Sequence, residues 1–347
     1  MDPYGFCVEC TPGSSSHVNG QTYDACTCSG GAYKGRGVAY SEPDTSCAMV
    51  VSAGFTHTCV LFTDVGKIKC WGDNSNGQTG SGSTSTVHAT DGMGTNLPFV
   101  DFGNNPKVVS VQTARYYTCV LFSNGKLKCF GRNNYGQLGL GDDANREDAI
   151  YLGNTGDAGF ADVGTGRTVV SVHPSIQSTC VILDNTQVKC FGRNRYGILG
   201  LGDSVHRGHD ANTMGDFLPA VDFGTHRHAV RLSTSGFCAM CALLNTAELV
   251  CWGRNYEYVF GMGISKDVNI GDNPGEMGDN LVAITMPTGK TVRALASTAV
   301  EHFCVVTATN EIKCWGGNAD GQLGVGDTSM RGANPNEMGD YLPAVDL

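Results

Sequence analysis

Ten cysteines recur along this chain in five pairs, Cys59 with Cys70, Cys119 with Cys129, Cys180 with Cys190, Cys241 with Cys251 and Cys304 with Cys314, and the second member returns after 59, 61, 61 and 63 residues. A period of this length marks a repeat architecture, in which one supersecondary unit is stacked several times. Between the paired cysteines lie an apolar run, a turn and a second run, most clearly in Cys119-Val-Leu-Phe-Ser-Asn-Gly-Lys-Leu-Lys-Cys129. That pattern predicts a β-hairpin.

With Ser123-Asn124-Gly125 as a three-residue loop and Gly125 left-handed, Phe122 faces Lys126 and Cys119 falls opposite Cys129. This is a non-hydrogen-bonded position, where the backbones approach most closely and a disulfide is accessible. Asn310 suits the same loop position, Thr186 and Ala247 suit it less well, and the first copy carries one extra residue, Val65. The spacing supplies neither the short intervals nor the four convergent ligands of a zinc site. One cross-strand disulfide per hairpin is expected, each contributing about 2 to 3 kcal/mol by loop-closure entropy.

The elements around each hairpin repeat as well. A β-branched strand precedes it (Val108-Val109-Ser110-Val111, Val169-Val170-Ser171-Val172), and an aromatic-Gly step follows it (Trp71-Gly72, Phe130-Gly131, Phe191-Gly192, Trp252-Gly253, Trp315-Gly316). A Gly-rich turn and an extended segment such as Leu218-Pro219-Ala220-Val221-Asp222-Phe223 complete the unit. Four short strands per unit make a propeller blade, and 48 glycines with only 16% charged residues favour strands and tight turns over helices. The fold class expected is all-β, a β-propeller of four-stranded blades with five repeats, preceded by a small disulfide-rich module.

Gly54-Phe55-Thr56-His57-Thr58-Cys59-Val60-Leu61, with Lys69-Cys70-Trp71-Gly72-Asp73-Asn74-Ser75-Asn76-Gly77-Gln78, resembles the repeat of the regulator of chromosome condensation. Trp315-Gly316-Gly317-Asn318-Ala319-Asp320-Gly321-Gln322-Leu323-Gly324 does so too. The resemblance covers residues 48–347, in repeats at approximately 48–103, 104–164, 165–224, 225–286 and 287–347. It implies a circular arrangement of four-stranded blades. Members of that family usually have seven, so a five-bladed ring, a larger ring completed by further chain and an open arc all remain open.

Residues 1–47 have almost no apolar periodicity and resemble small EGF-like or receptor-type cysteine-rich modules, with Cys7, Cys10, Cys26, Cys28 and Cys47 as their staples. Zinc binding by the short spacings is the rival reading. Five is an odd number, so Cys238, which lies outside the hairpin pattern, is expected to pair with one of them or with another chain. The N-terminus has no apolar run of the signal-peptide kind, so either a leader has been removed or the chain is part of a longer one. Sixteen cysteines, ten of them placed for cross-links, indicate an extracellular or cell-surface location.

A net charge of -10 without any basic run disfavours nucleic acid, and no apolar stretch approaches a membrane span. No nucleophile elbow, metalloprotease, Walker or dinucleotide fingerprint occurs, so neither an enzyme nor a cofactor or metal site is expected. Gly-Asp-x-x-x-Arg appears at Asp142 with Arg146, Asp203 with Arg207 and Asp327 with Arg331, and reads as a turn-capping aspartate with a local ion pair in preference to a calcium loop.

Departures within the repeat are the candidate binding residues. The fourth copy places Tyr256, Tyr258 and Phe260 in one loop, suited to a protein contact or to packing a blade edge. The third gathers His206, Arg207, His209, His226, Arg227 and His228, as solvated histidines or as a pH-sensitive or anion-binding patch. The functional expectation is an extracellular structural or adhesive subunit of an appendage, filament or matrix, working by protein contacts and self-assembly. The alternative is a secreted propeller that binds or inhibits a protein or glycan. Guanine-nucleotide exchange, which the resemblance suggests, fits poorly with acidic charge and oxidised hairpins. Light sensing would need a tryptophan cluster, and the three tryptophans stand at separate repeat positions.

Overall fold

The computed structural model describes residues 15–18, 21–24, 49–86, 92–147, 159–235, 238–296 and 301–347. Cys7, Cys10, Cys26, Cys28 and Cys47 lie outside the described residues. In that region only the backbone pairing of Ser15–Val18 with Gln21–Asp24 is described.

Each hairpin forms where the sequence places it, and each takes a third strand on its first-strand side. The units are Met49–Ala53, His57–Phe62 and Lys67–Gly72; Val108–Thr113, Tyr117–Phe122 and Leu127–Gly131; and Val169–Pro174, Ser178–Leu183 and Val188–Gly192. Ala229–Ser235, Ala239–Leu244 and Leu249–Arg254 form the fourth, and Val292–Ala296, His302–Thr307 and Ile312–Gly316 the fifth. All are antiparallel and sequential.

The register is the one the loop dictates. Cys119 pairs with Cys129, Phe122 N–H donates to Lys126 O at 3.0 Å, and Gly125 is left-handed at φ 77°. Thr186 and Ala247, less suited to this position, are also held left-handed, at 67° and 65°. The loop geometry is therefore imposed by the strands it joins. All five expected disulfides are formed: Cys59 to Cys70, Cys119 to Cys129, Cys180 to Cys190, Cys241 to Cys251 and Cys304 to Cys314, with Cα atoms 4.0 to 4.2 Å apart. Nine of the ten cysteines are buried, with Cys251 fully so and Cys314 only 4% exposed, and Cys304 is half-buried. In the fourth unit Cys241 and Cys251 are part of the apolar cluster against the fifth.

The fourth strand is split. Beyond the Gly-rich turn the chain touches the end of the third strand, as Gly131 with Arg146, Gly192 with Arg207 and Gly316 with Arg331. It then departs, and returns at the strand's beginning through single bonds such as Val221 N–H to Val188 O, 2.8 Å. Pro98, Pro219 and Pro343 precede that return and lack the N–H a continuous ladder needs. In the fourth unit Asn269–Ile270 pairs with the third strand and makes a four-stranded sheet.

A buried asparagine organises each turn. Asn133 Oδ1 accepts the Leu138 N–H at 3.0 Å while its Nδ2 donates to Asp142 O at 2.8 Å, and Asn194 and Asn318 repeat both bonds. Asp203 accepts the Val205 N–H at 2.8 Å and the Arg207 guanidinium at 2.6 Å, which is the turn-capping role expected from the Gly-Asp-x-x-x-Arg pattern.

The core lies at the junctions between units, as four clusters that each combine side chains of two successive units. Hydrogen bonds cross the same junctions: Trp252 Nε1 to Ile198 O at 2.9 Å, Trp315 Nε1 to Val259 O at 2.8 Å and Tyr117 Oη to Ser178 O at 2.7 Å. The three middle units bury both faces of the second strand. The outer two bury one face each, His57, Cys59 and Leu61 in the first and Phe303, Val305 and Thr307 in the fifth. Val51 pairs as buried Val111 does, yet is 63% exposed. Among the described residues, the two less buried faces are opposite ones.

At the first junction His57 replaces tyrosine. The Thr118 hydroxyl donates to Gln78 O at 2.8 Å, so the His57 Nε2–H donates to Thr118 Oγ1, also at 2.8 Å. Burial pushes the His57 pKa down to about 4, against a smaller upward pull from Asp73, and burial pushes His173 down to about 4 as well. A base with a lowered folded pKa stabilises most above its unfolded pKa and loses that contribution as pH falls. Each histidine should cost about 2 kcal/mol of stability between pH 7 and pH 5. Urea unfolding at both pH values should show the drop, and His57→Gln should remove about half of it; an unaltered slope in that variant would contradict the assignment.

Candidate functional site

In every unit the first strand ends, the second begins and the third ends on the same side. The residue after the aromatic-Gly step is fixed there by its backbone: Arg132 N–H donates to Tyr116 O at 3.0 Å, Arg193 N–H to Gln177 O at 2.9 Å and Arg254 N–H to Cys238 O at 2.9 Å. The preceding glycine makes this possible. Gly192 has φ 108°, and a Cβ there would stand 2.5 Å from Gln177 O. Three successive units thus raise an arginine at one end of the strands.

Tyrosines and a phenylalanine from the adjacent loops stack against these guanidiniums. Arg115 lies over Phe55 at 4.7 Å and over Tyr116 at 5.0 Å, and Arg132 over Tyr116 at 5.4 Å. Arg193 covers Tyr135 at 5.1 Å, and Arg195 covers Tyr196 at 5.3 Å. Arg254 sits between Tyr196 at 4.7 Å and Tyr256 at 4.6 Å. The stacks of Arg115 on Phe55, Arg193 on Tyr135 and Arg254 on Tyr196 each cross a junction between units. Stacking of this kind contributes roughly 0.5 to 1 kcal/mol at exposed sites and fixes the plane of the guanidinium.

These five arginines make no ion pair with any described carboxylate. Elsewhere Arg146, Arg167, Arg207, Arg227 and Arg331 are each paired, with Asp142, Asp184, Asp203, Glu248 and Asp327. On a chain with net charge -10, the contrast creates a positive, aromatic-lined band.

Between the second and third units the band sinks into a cleft of about 260 Å³ lined by Tyr135, Arg193, Arg195, Ser204 and His206. Arg193 Nη1 is held by Gln177 Oε1 at 2.5 Å, and the His206 ring meets Tyr135 edge-on at 5.2 Å. The Asn194 N–H donates to His206 Nδ1 at 3.0 Å, which leaves Nε2 as the protonated nitrogen of the neutral ring. Burial, with smaller contributions from the nearby His209 and Arg193, holds this histidine below its ordinary range. Arginine, imidazole, hydroxyl and phenol donors converge there.

The residues singled out from sequence are divided by the fold. Tyr256 joins the band, with Tyr258 half-exposed beside it on a left-handed backbone at φ 61°. Phe260 does not project: it is fully buried at the fourth junction, where its N–H donates to Asn255 Oδ1 at 3.1 Å in the place Leu138 takes in its own turn. It is a core residue, because that turn position always points inward. His206 and His209 stand at the band end, whereas His226 and His228 lie at the opposite end of the strands. There His228 N–H donates to Asn245 Oδ1 at 2.9 Å beside the hairpin loop, so the six-residue patch is not one site.

Cys238 makes no disulfide with a described cysteine, and burial pushes its thiol pKa up against the opposing pull of Arg193 and Arg254. The arginine band itself was missed from sequence. Its signal was present in the triplets Gly131-Arg132-Asn133, Gly192-Arg193-Asn194 and Gly253-Arg254-Asn255.

Five hairpin-centred, disulfide-stapled units packed junction to junction define an all-β repeat protein of the propeller type. Residues 51–78, 108–137 and 292–322 match the Regulator of chromosome condensation (RCC1) repeat. The Ultraviolet-B receptor UVR8 of Arabidopsis thaliana is 26% identical over 290 residues, 81% of this chain and 56% of the receptor. The X-linked retinitis pigmentosa GTPase regulator of Canis lupus familiaris is 28% identical over 53% of this chain and 16% of its own length. This chain therefore spans about half, or far less, of those relatives. Among solved structures, Prp20p from Saccharomyces cerevisiae aligns with a TM-score of 0.61 at 16% identity, over 88% of this chain and 66% of that one. Human WBSCR16 aligns at 0.60 and 19% identity, over 86% and 67%. Among the described residues, no helix is long and apolar enough to cross a membrane.

Proposed function

We propose that this chain is an extracellular protein-binding module that meets its partner with the guanidinium–aromatic end of its units. The observation that carries the reading is the set of five stacked arginines without a carboxylate, on a molecule that pairs its other ion-paired arginines locally and is acidic overall. Arginine and tyrosine are enriched where interfaces concentrate their binding energy, and prior stacking lowers the entropy lost on contact. The five disulfides support an oxidising compartment.

A photo-crosslinking residue at exposed Asn134, within the band, should give protein adducts on the surface of source cells, and one at exposed Asn185, at the hairpin end, should not. Equal labelling at both positions, or none at Asn134, would overturn the site. Peptide mapping of the native protein without reductant tests the compartment: free thiols at the hairpin pairs would exclude it.

The structural or adhesive reading is favoured by a different observation, the less buried, opposite faces that the described residues of the first and fifth units present. It requires particle mass to grow with concentration in light scattering, and one constant mass would exclude it.

A further inference from the structure

The geometry points to the cleft between the second and third units as a binding site for carboxylates, supplied by a short acidic segment of a protein partner. This deepens the proposed function and rests on its placing the partner on the band. The donors have the required character. Arg195 is exposed, stacks on Tyr196 and has no hydrogen-bond acceptor or ion pair among the described residues. Arg193 is oriented from two sides, by the Tyr135 ring and by Gln177, which uses one of its nitrogens and leaves the other side of the fork. A planar guanidinium fixed in this way presents parallel N–H groups that match the two oxygens of a carboxylate. The His206 ring, tied at Nδ1, has its remaining N–H at Nε2, and the Ser204 hydroxyl adds a further donor at the exposed rim.

Among the described residues no acid competes for these groups. The nearest in sequence, Asp203 and Asp210, are engaged with Arg207 at 2.6 Å and His209 at 3.0 Å. Arg193 also shares this small cleft with a second guanidinium, Arg195, an arrangement that an incoming negative charge would relieve.

The band favours a peptide over a sulfated polysaccharide for two reasons. Its charges are interrupted by the Tyr116, Tyr135, Tyr196 and Tyr256 rings, which suits a chain alternating acidic and apolar side chains. Beyond the band the net charge of -10 repels a uniform polyanion.

The test uses the whole oxidised chain and a fluorescein-labelled hexapeptide of alternating glutamate and phenylalanine, followed by fluorescence anisotropy. The peptide should bind, its glutamine counterpart should bind at least tenfold more weakly, and affinity should fall as salt rises from 0.05 to 0.5 M, as expected for partly exposed charges. The double variant Arg193→Gln/Arg195→Gln should weaken binding at least tenfold, while Arg167→Gln, a paired arginine away from the band, should leave it unchanged. Circular dichroism of the double variant establishes that it is folded, and the single variant Arg195→Gln, at an exposed position, should by itself weaken binding severalfold. Equal affinity for glutamate and glutamine peptides, insensitivity to both arginine variants, or tighter capture of a heparin hexasaccharide through the same arginines would each overturn the inference. If the peptide fails while the Asn134 adduct persists, the acidic ligand is wrong and the binding face stands. If the adduct also fails, the face itself is wrong.

Discussion

Full reduction of the five hairpin disulfides should abolish cooperative folding at 25 °C. Each bond closes a loop of 10 or 11 residues, worth about 3 kcal/mol of lost unfolded-state entropy. Five such contributions are on the order of the whole stability of an ordinary domain. The individual effect should be visible too: Cys180→Ala with Cys190→Ala, both fully buried, should cost about 2 to 4 kcal/mol in urea unfolding. Circular dichroism melts with and without reductant, with thiols counted by mass spectrometry, test the first claim. A fully reduced chain that keeps its melting midpoint would refute it and would also remove the main support for an oxidising compartment.

Trp252→Ala should cost about 3 to 5 kcal/mol, a large loss for one side chain at a junction. Trp252 is fully buried, meets Phe223 at 5.5 Å between ring centres and donates to Ile198 O in the preceding unit. Truncation therefore opens a cavity and leaves that carbonyl unpaired in the same place. Trp252→Phe, which reproduces Phe130 and Phe191 of the second and third units, should cost only about 1 to 2 kcal/mol. Because stacked units are stabilised chiefly by their neighbours, the alanine variant should also broaden the transition as the fourth and fifth units part from the first three. Equal losses in the two variants would show that neither the cavity nor the bond is what the indole supplies.

Features with local causes were legible in the sequence. The register of each hairpin follows from a period of two and a three-residue loop, so Cys119 opposite Cys129 could be counted from the turn alone. The same count holds for Cys241 opposite Cys251 and Cys304 opposite Cys314. Phe260 stood between a partner contact and blade-edge packing because its loop looks unlike the others by composition, although the asparagine five residues earlier, Asn255, marks its inward position as Asn133 marks Leu138. The histidines of the third copy stood between solvated residues and a single patch, because closeness in the chain does not tell which end of a strand a residue occupies. The arginine band was hidden for a related reason: Arg254 and Tyr196, or Arg193 and Tyr135, are about a unit apart in the chain and meet only when successive units stack.

The position of the disulfides also bears on how the chain reaches its oxidised state. Each described bond joins adjacent strands of one hairpin, 10 or 11 residues apart, and none links one unit to another. Short loops close faster and at lower entropic cost than long ones, so as the chain emerges each cysteine meets its correct partner well before the next unit exists. Native pairing is thus selected by proximity in time, and the hairpins can be oxidised one after another with little recourse to reshuffling. The stacking of unit on unit then acts on pieces whose covalent structure is already settled.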